Sequence, residues 1–210
     1  MKNGRKWIMG KPILKNLNFS YEEVQRVGFP LNPTAKQVFL LEHLFKQIQN
    51  VKDVIEFTFS QHVPFRVTDC YRTVEKYQDM KNRGLYPSAT SDHFWGQHIP
   101  VSSASNLKKY GPIYEFSTGA ADIVPSIPGI IKDECNRFRI FETIVQLDRS
   151  EDISLGQVIY EKSVKTGTEW IHVSNPIDLI YNSGMIDKLN LIKSKYLTTK
   201  DGGRTYQVYS

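Results

Sequence analysis

Val38, Leu41, Leu44, Phe45 and Ile48 recur at steps of three and four in the segment that follows Asn32-Pro33-Thr34. That spacing gathers them into one stripe of a helix, and such a stripe must be buried. Ahead of it, Ser20 is placed to cap a shorter helix over 21–27 that stops at Gly28. The period then changes. Residues 64–69, Pro-Phe-Arg-Val-Thr-Asp, alternate as a half-buried strand does. A helix is expected from Thr73 to Arg83, ending at Gly84, and Ala120 to Val124 reads as a short buried strand closed by Pro125. Residues 132–147 suit a helix with Phe138, Phe141, Ile144 and Val145 inward. Residues 157–161 and 169–174 read as strands joined by a turn at Lys165-Thr166-Gly167, and so as a hairpin. This order predicts an α+β fold: a small antiparallel sheet holding all four strands, with helices mainly on one side.

Between the third helix and the strand at 120, residues 85–118 are rich in Pro, Ser, Gly and Tyr and read as one long loop. Long ordered loops are uncommon and often functional. The 210 residues suffice for one sizeable domain, taken as 17–180, with an N-terminal extension at 1–16 and a polar C-terminal extension at 181–210. With 40% hydrophobic residues the chain can build a core, so wholesale disorder is not expected. The net charge of +5 comes without a block of like charges, so nucleic acid is not expected as a partner. A mildly basic surface suits an anionic polymer such as a bacterial wall, or is a scatter of solubilising lysines. Cys70 and Cys135 are far apart and make no metal-ligand pair; two reduced, buried thiols are expected, with a single disulfide as the alternative. The basic N-terminus lacks an apolar core segment, so no signal peptide is read there, and no apolar run is long enough to span a membrane.

The chemistry lies in three short stretches. Thr168-Glu169-Trp170-Ile171-His172-Val173-Ser174 carries a histidine on a strand. Alternation puts Trp170, His172 and Ser174 on one face and Glu169 on the other, so Glu169 reaches the same ion as His172 only if the chain bends at the start of the strand. Ser91-Asp92-His93-Phe94-Trp95-Gly96 supplies a second imidazole, and Gly119-Ala120-Ala121-Asp122 a carboxylate. Two imidazoles and a carboxylate leave one position open on tetrahedral zinc, as a hydrolytic site requires.

In order, Ser-x-His-x-x-Gly, Ala-x-Asp and Glu-x-x-His resemble the motifs of metallopeptidase family 15. That family comprises zinc D-Ala-D-Ala carboxypeptidases, vancomycin-resistance dipeptidases and phage L-alanyl-D-glutamate endolysins, with a fold related to the hedgehog signalling domain. The resemblance covers residues 17–180, including Asn18-Phe19-Ser20 and Asn32-Pro33. It implies zinc held by His93, Asp122 and His172, with Glu169 as catalytic base. Asp69-Cys70-Tyr71-Arg72-Thr73 looks like the family's strand-end Tyr-Arg element, which implies that Arg72 orients a substrate carboxylate or stabilises the scissile carbonyl; the alternative is that Arg72 only caps or pairs at the strand end. Tyr71 and Ser91 would support substrate or ligands, or Ser91 merely begins the loop. Trp95 and Trp170 read as core residues, and His98 is an exposed loop residue or a substitute ligand.

One departure is conspicuous. The family separates its His and Asp by seven positions, and here His93 and Asp122 stand 29 apart. The stretch 97–117 is read as an insert looped out between intact ligands, since closure entropy grows only slowly with loop length. The expected function is zinc-dependent cleavage of peptidoglycan stem peptides, by a protein made in the cytoplasm that acts on the wall after lysis or within a phage particle. The alternative is a virion or other assembly component that keeps the fold as a scaffold, with phage structural proteins as partners.

Overall fold

The computed structural model describes residues 12–15, 17–85, 91–95, 118–126, 134–176, 179, 195–199, 201 and 205–210. Helix α1 (Tyr21–Arg26) opens on a capping box: the Ser20 hydroxyl accepts from the Glu23 amide, and the Glu23 carboxylate accepts from the Ser20 amide. Thr34 and Gln37 repeat the device at the start of α2 (Ala35–Phe59). This helix is far longer than its predicted stripe. Leu40, Leu41, Leu44, Phe45, Ile48, Val51 and Ile55 all face the core, which carries the periodicity a further two turns. Ser60 ends it in the left-handed region at φ +50°.

β1 (Phe65–Asp69) follows, then α3 (Val74–Asn82), capped by Thr73. A single 3-10 turn spans Asp92–Phe94. β2 (Ala120–Pro125), α4 (Glu134–Arg149), β3 (Val158–Lys162) and β4 (Glu169–Ser174) complete the expected set. β3 and β4 pair as an antiparallel hairpin, as anticipated. Gly167, in the turn between them, sits at φ +62°, where glycine carries no side-chain penalty.

The sheet is larger than its sequence suggests. Among the described residues, six strands run in the order β1-β2-β4-β3-β5-β6, the last two being Tyr196–Thr199 and Gln207–Val208. β5 lies parallel to β3, so the sheet is mixed rather than wholly antiparallel. Both added strands fall within the stretch read as a polar C-terminal extension. Side chains tie this segment to α4: the Tyr196 hydroxyl donates to Asp148 at 2.7 Å, and the Tyr209 hydroxyl donates to Glu142 at 2.8 Å. The Tyr209 ring packs edge-on against Phe141.

Register separates the two faces. Ala121 and Ile123 of β2, Ile171 and Val173 of β4, and Val158 and Tyr160 of β3 share the face that meets α4, where Phe138 and Phe141 pack against the Tyr160 ring. All six strand residues are buried. The opposite face carries Asp122, His172, Trp170, Ile159 and Glu161. Among the described residues, no helix is long and apolar enough to cross a membrane.

Candidate metal centre

Asp122 and His172 face each other directly across the β2–β4 ladder. His93 reaches them from the 3-10 turn. Ser91 precedes that turn and accepts from the His93 amide, and Arg72 donates its own amide to the His93 carbonyl at 2.8 Å. The three donor atoms converge. His93 Nε2 lies 3.2 Å from Asp122 Oδ1 and 3.2 Å from His172 Nδ1, and the remaining side, His172 Nδ1 to Asp122 Oδ1, is 3.0 Å. Two ligands about 2.0–2.1 Å from zinc in a tetrahedral shell are about 3.3 Å apart, so this triangle matches one face of such a shell. His93 and His172 are buried and Asp122 partly so.

The tautomer of His93 strengthens the case. Its Nδ1 lies 3.1 Å from the Cys70 carbonyl, which can only accept. A neutral His93 therefore carries its proton on Nδ1 and turns the Nε2 lone pair toward a carboxylate oxygen and a second imidazole nitrogen. Three lone pairs at this separation repel unless a cation, a proton or a metal ion, stands among them. A backbone carbonyl fixing the outer nitrogen is also how metal-binding histidines are commonly oriented. Burial would raise the Asp122 carboxyl, but the charges and hydrogen bonds of His93 and His172 outweigh it and hold the group well below the usual carboxylate range. The three residues thus form a group that can hold a metal ion, and no fourth ligand joins them among the described residues.

Asp92 keeps the two halves of the site together. Its carboxylate accepts from the Thr118 amide and its carbonyl from the Gly119 amide, which pins the chain entering β2 to the turn that carries His93. Gly119 sits at φ +89° against the Trp95 ring, and a Cβ there would lie 2.5 Å from Trp95 Cε3. The insert itself, 97–117, and His98 within it lie outside the described residues.

Arg72 is buried beside the site. It donates to Ser91 Oγ at 3.1 Å and pairs with Asp69 at 3.3 Å. Tyr71 accepts from Gln37 of α2 through its hydroxyl and packs edge-on against Phe29, so it serves the core. Trp95 is fully buried, whereas Trp170 is only partly buried on the metal-ligand face and is not the core residue its sequence context suggested. Cys70 is buried and free, and burial, with Asp69 and Asp122 adding, pushes its thiol well up. For Cys135 the side chain lies outside the described set.

Glu169 is not brought to the triad. β4 is regular from its first residue, with Glu169 opposite Lys162 in the ladder, so the bend that would swing it round is missing. Its side chain is buried on the α4 face, 3.6 Å from Arg137 Nη1 and 3.5 Å from Lys162 Nζ. Two residues that sequence reasoning passed over feel the charge of Asp122. Burial pushes the Glu161 carboxyl up to about 7, Asp122 adding to the effect and His172 and Arg72 opposing it. Tyr206, ahead of β6, is likewise raised by burial and by the charges of Glu161 and Asp122. A signal for Glu161 was present: counting back across the hairpin from His172 pairs it with Ile159, and Glu161 shares that face.

Comparison with protein-family models, with curated proteins and with solved structures finds no match.

Proposed function

We propose that the chain is a zinc-dependent peptidase that cleaves peptidoglycan stem peptides, as a carboxypeptidase or an endopeptidase. The observation that carries this reading is the meeting of His93, Asp122 and His172 in a metal-ligand triangle, from three segments whose motifs resemble the family 15 peptidases. Zinc bound there would act as a Lewis acid, acidifying a water and polarising the scissile carbonyl. The chain's own residues supply the remainder. Cys70 fixes the His93 tautomer through its carbonyl. Asp122 contributes the one formal negative charge of the ligand set, which leaves the ion a net positive charge to act with. Arg72, held by Asp69 and Ser91, presents a guanidinium to an anionic group such as a stem peptide's terminal carboxylate. The mildly basic chain favours encounter with an anionic wall polymer.

The test is direct. Protein purified without chelator should carry about one zinc per chain, release D-Ala or cleave stem peptides from purified wall fragments, lose that activity in EDTA and regain it with zinc. Mass spectrometry of the products identifies the bond. One observation favours a second reading, that of a peptidase-like scaffold in a phage particle or other assembly: Glu169, the implied base, is tied to Arg137 and Lys162 on the far face. Bound zinc with no hydrolysis of any stem peptide would support the scaffold.

A further inference from the structure

The β3–β4 ladder offers a carboxylate that the motif does not contain. His172 pairs with Ile159, and Glu161 lies two residues further along β3 on the same face, diagonal to His172. Diagonal neighbours of an antiparallel pair are about 7–8 Å apart at Cα, within reach of a long side chain. Glu161 is not one of the three residues whose donor atoms converge. Its carboxylate therefore stands outside the ligand triangle but on its side of the sheet, where a group serving the open fourth position belongs. Trp170, opposite Glu161 in the ladder, shares the face of His172. Glu169 differs on each count, being on the α4 face and neutralised by Arg137 and Lys162.

Resting on the peptidase reading above, we propose that Glu161 of β3, rather than Glu169 of β4, takes the proton from the attacking water. An O–H proton of that water passes to the Glu161 carboxylate as its oxygen bonds to the scissile carbonyl carbon. When the C–N bond breaks, the same proton goes to the departing nitrogen. The products are a carboxylic acid and an amine, and Glu161 returns to its ionised form.

Glu161→Gln, Glu161→Asp, Glu169→Gln and His172→Ala should be compared in zinc content, in stem-peptide hydrolysis and in calorimetric binding of acetohydroxamic acid, which must give up a proton to a nearby base when it chelates zinc. Zinc retention also reports that a variant has folded. In Glu161→Gln, turnover should fall by about 100-fold or more with zinc retained, and acetohydroxamate should bind at least about tenfold more weakly. Glu161→Asp should recover part of both, and Glu169→Gln should change each by less than about tenfold. Loss of turnover and hydroxamate binding in Glu169→Gln, with Glu161→Gln unaffected, would overturn the assignment while leaving the peptidase reading intact. So would a Glu161→Gln variant that loses zinc as fully as His172→Ala. Should the wild type cleave no stem peptide, the peptidase reading fails. A hydroxamate deficit confined to the Glu161 variants would even then support Glu161 as the proton acceptor.

Discussion

His93 Nε2 and Asp122 Oδ1 lie 3.2 Å apart although 29 positions of chain separate the two residues. Asp92 makes this possible, because it bonds the amides of both Thr118 and Gly119 and so closes the loop at its base. Replacing residues 97–117 by a short Gly-Ser linker should leave zinc stoichiometry at about one and change stability by only about 1 kcal/mol through loop entropy. Zinc analysis and thermal unfolding check this. A shortened protein that folds but binds no zinc would make the insert a part of the site.

A metal ion held by His93, Asp122 and His172 should stabilise the folded chain strongly, since the three come from the 3-10 turn, β2 and β4 and meet only when the sheet has formed. At free zinc a thousandfold above Kd the gain is about 4 kcal/mol. Thermal scans with and without zinc should therefore separate widely for the wild type and coincide for His172→Ala and Asp122→Ala. If the scans of these variants still separate, the ion binds elsewhere.

Gly119→Ala should be costly. The φ of +89° suits glycine, and the new Cβ would drive into the buried Trp95 ring. A loss of at least about 2 kcal/mol is expected, about 4–8 °C in Tm for a chain of this size. Zinc affinity should fall with it, because Trp95 and His93 share the same turn. Calorimetry and zinc titration of the variant supply the measurement.

The raised Glu161 carboxyl has a consequence for metal-free protein. Its folded-state value of about 7 exceeds the ordinary value of 4.5. Below the ordinary value both states hold the proton and the group costs nothing. As pH rises toward 7 the unfolded chain releases the proton and the folded chain does not, so stability falls across that window and then levels off. The charged and titratable groups acting on Glu161 are Asp122, His172, Arg72 and Tyr206. In EDTA, Glu161→Gln should match the wild type near pH 4 and exceed it near pH 8 by several degrees in Tm, at about 2–4 °C per kcal/mol. A constant difference across that range would show Glu161 to be well solvated.

Much of this architecture is legible in the sequence because it depends on local signals. Ser20 and Thr34 announce their helices through capping boxes, the stripe from Val38 to Ile48 fixes the buried side of α2, and the turn at Lys165-Thr166-Gly167 sets the β3–β4 hairpin. His93, Asp122 and His172, which the fold brings together, were legible because each sits in a short motif with recognisable flanks. What was missed depends on pairing between distant segments. Tyr196–Thr199 and Gln207–Val208 are short and polar, and they become strands only because β3 offers a free edge and α4 offers Asp148 and Glu142 to their tyrosines. Glu161 has no motif at all; its place beside the ligands follows from register alone. Glu169 shows the converse, a residue in the right motif that a regular strand turns the wrong way.

The parallel docking of β5 on β3 also determines where this chain can be cut. A protein trimmed at residue 180, the boundary its composition suggests, would lose β5 and β6 and leave β3 as the border of the sheet. That border would present unsatisfied amides and carbonyls to solvent along Val158–Lys162, the strand that carries Glu161. Bare borders of this kind recruit strands from other molecules. The trimmed species would keep all three metal ligands and still tend to self-associate, so clumping in such a fragment would reflect the missing tail and not a defect of the metal centre.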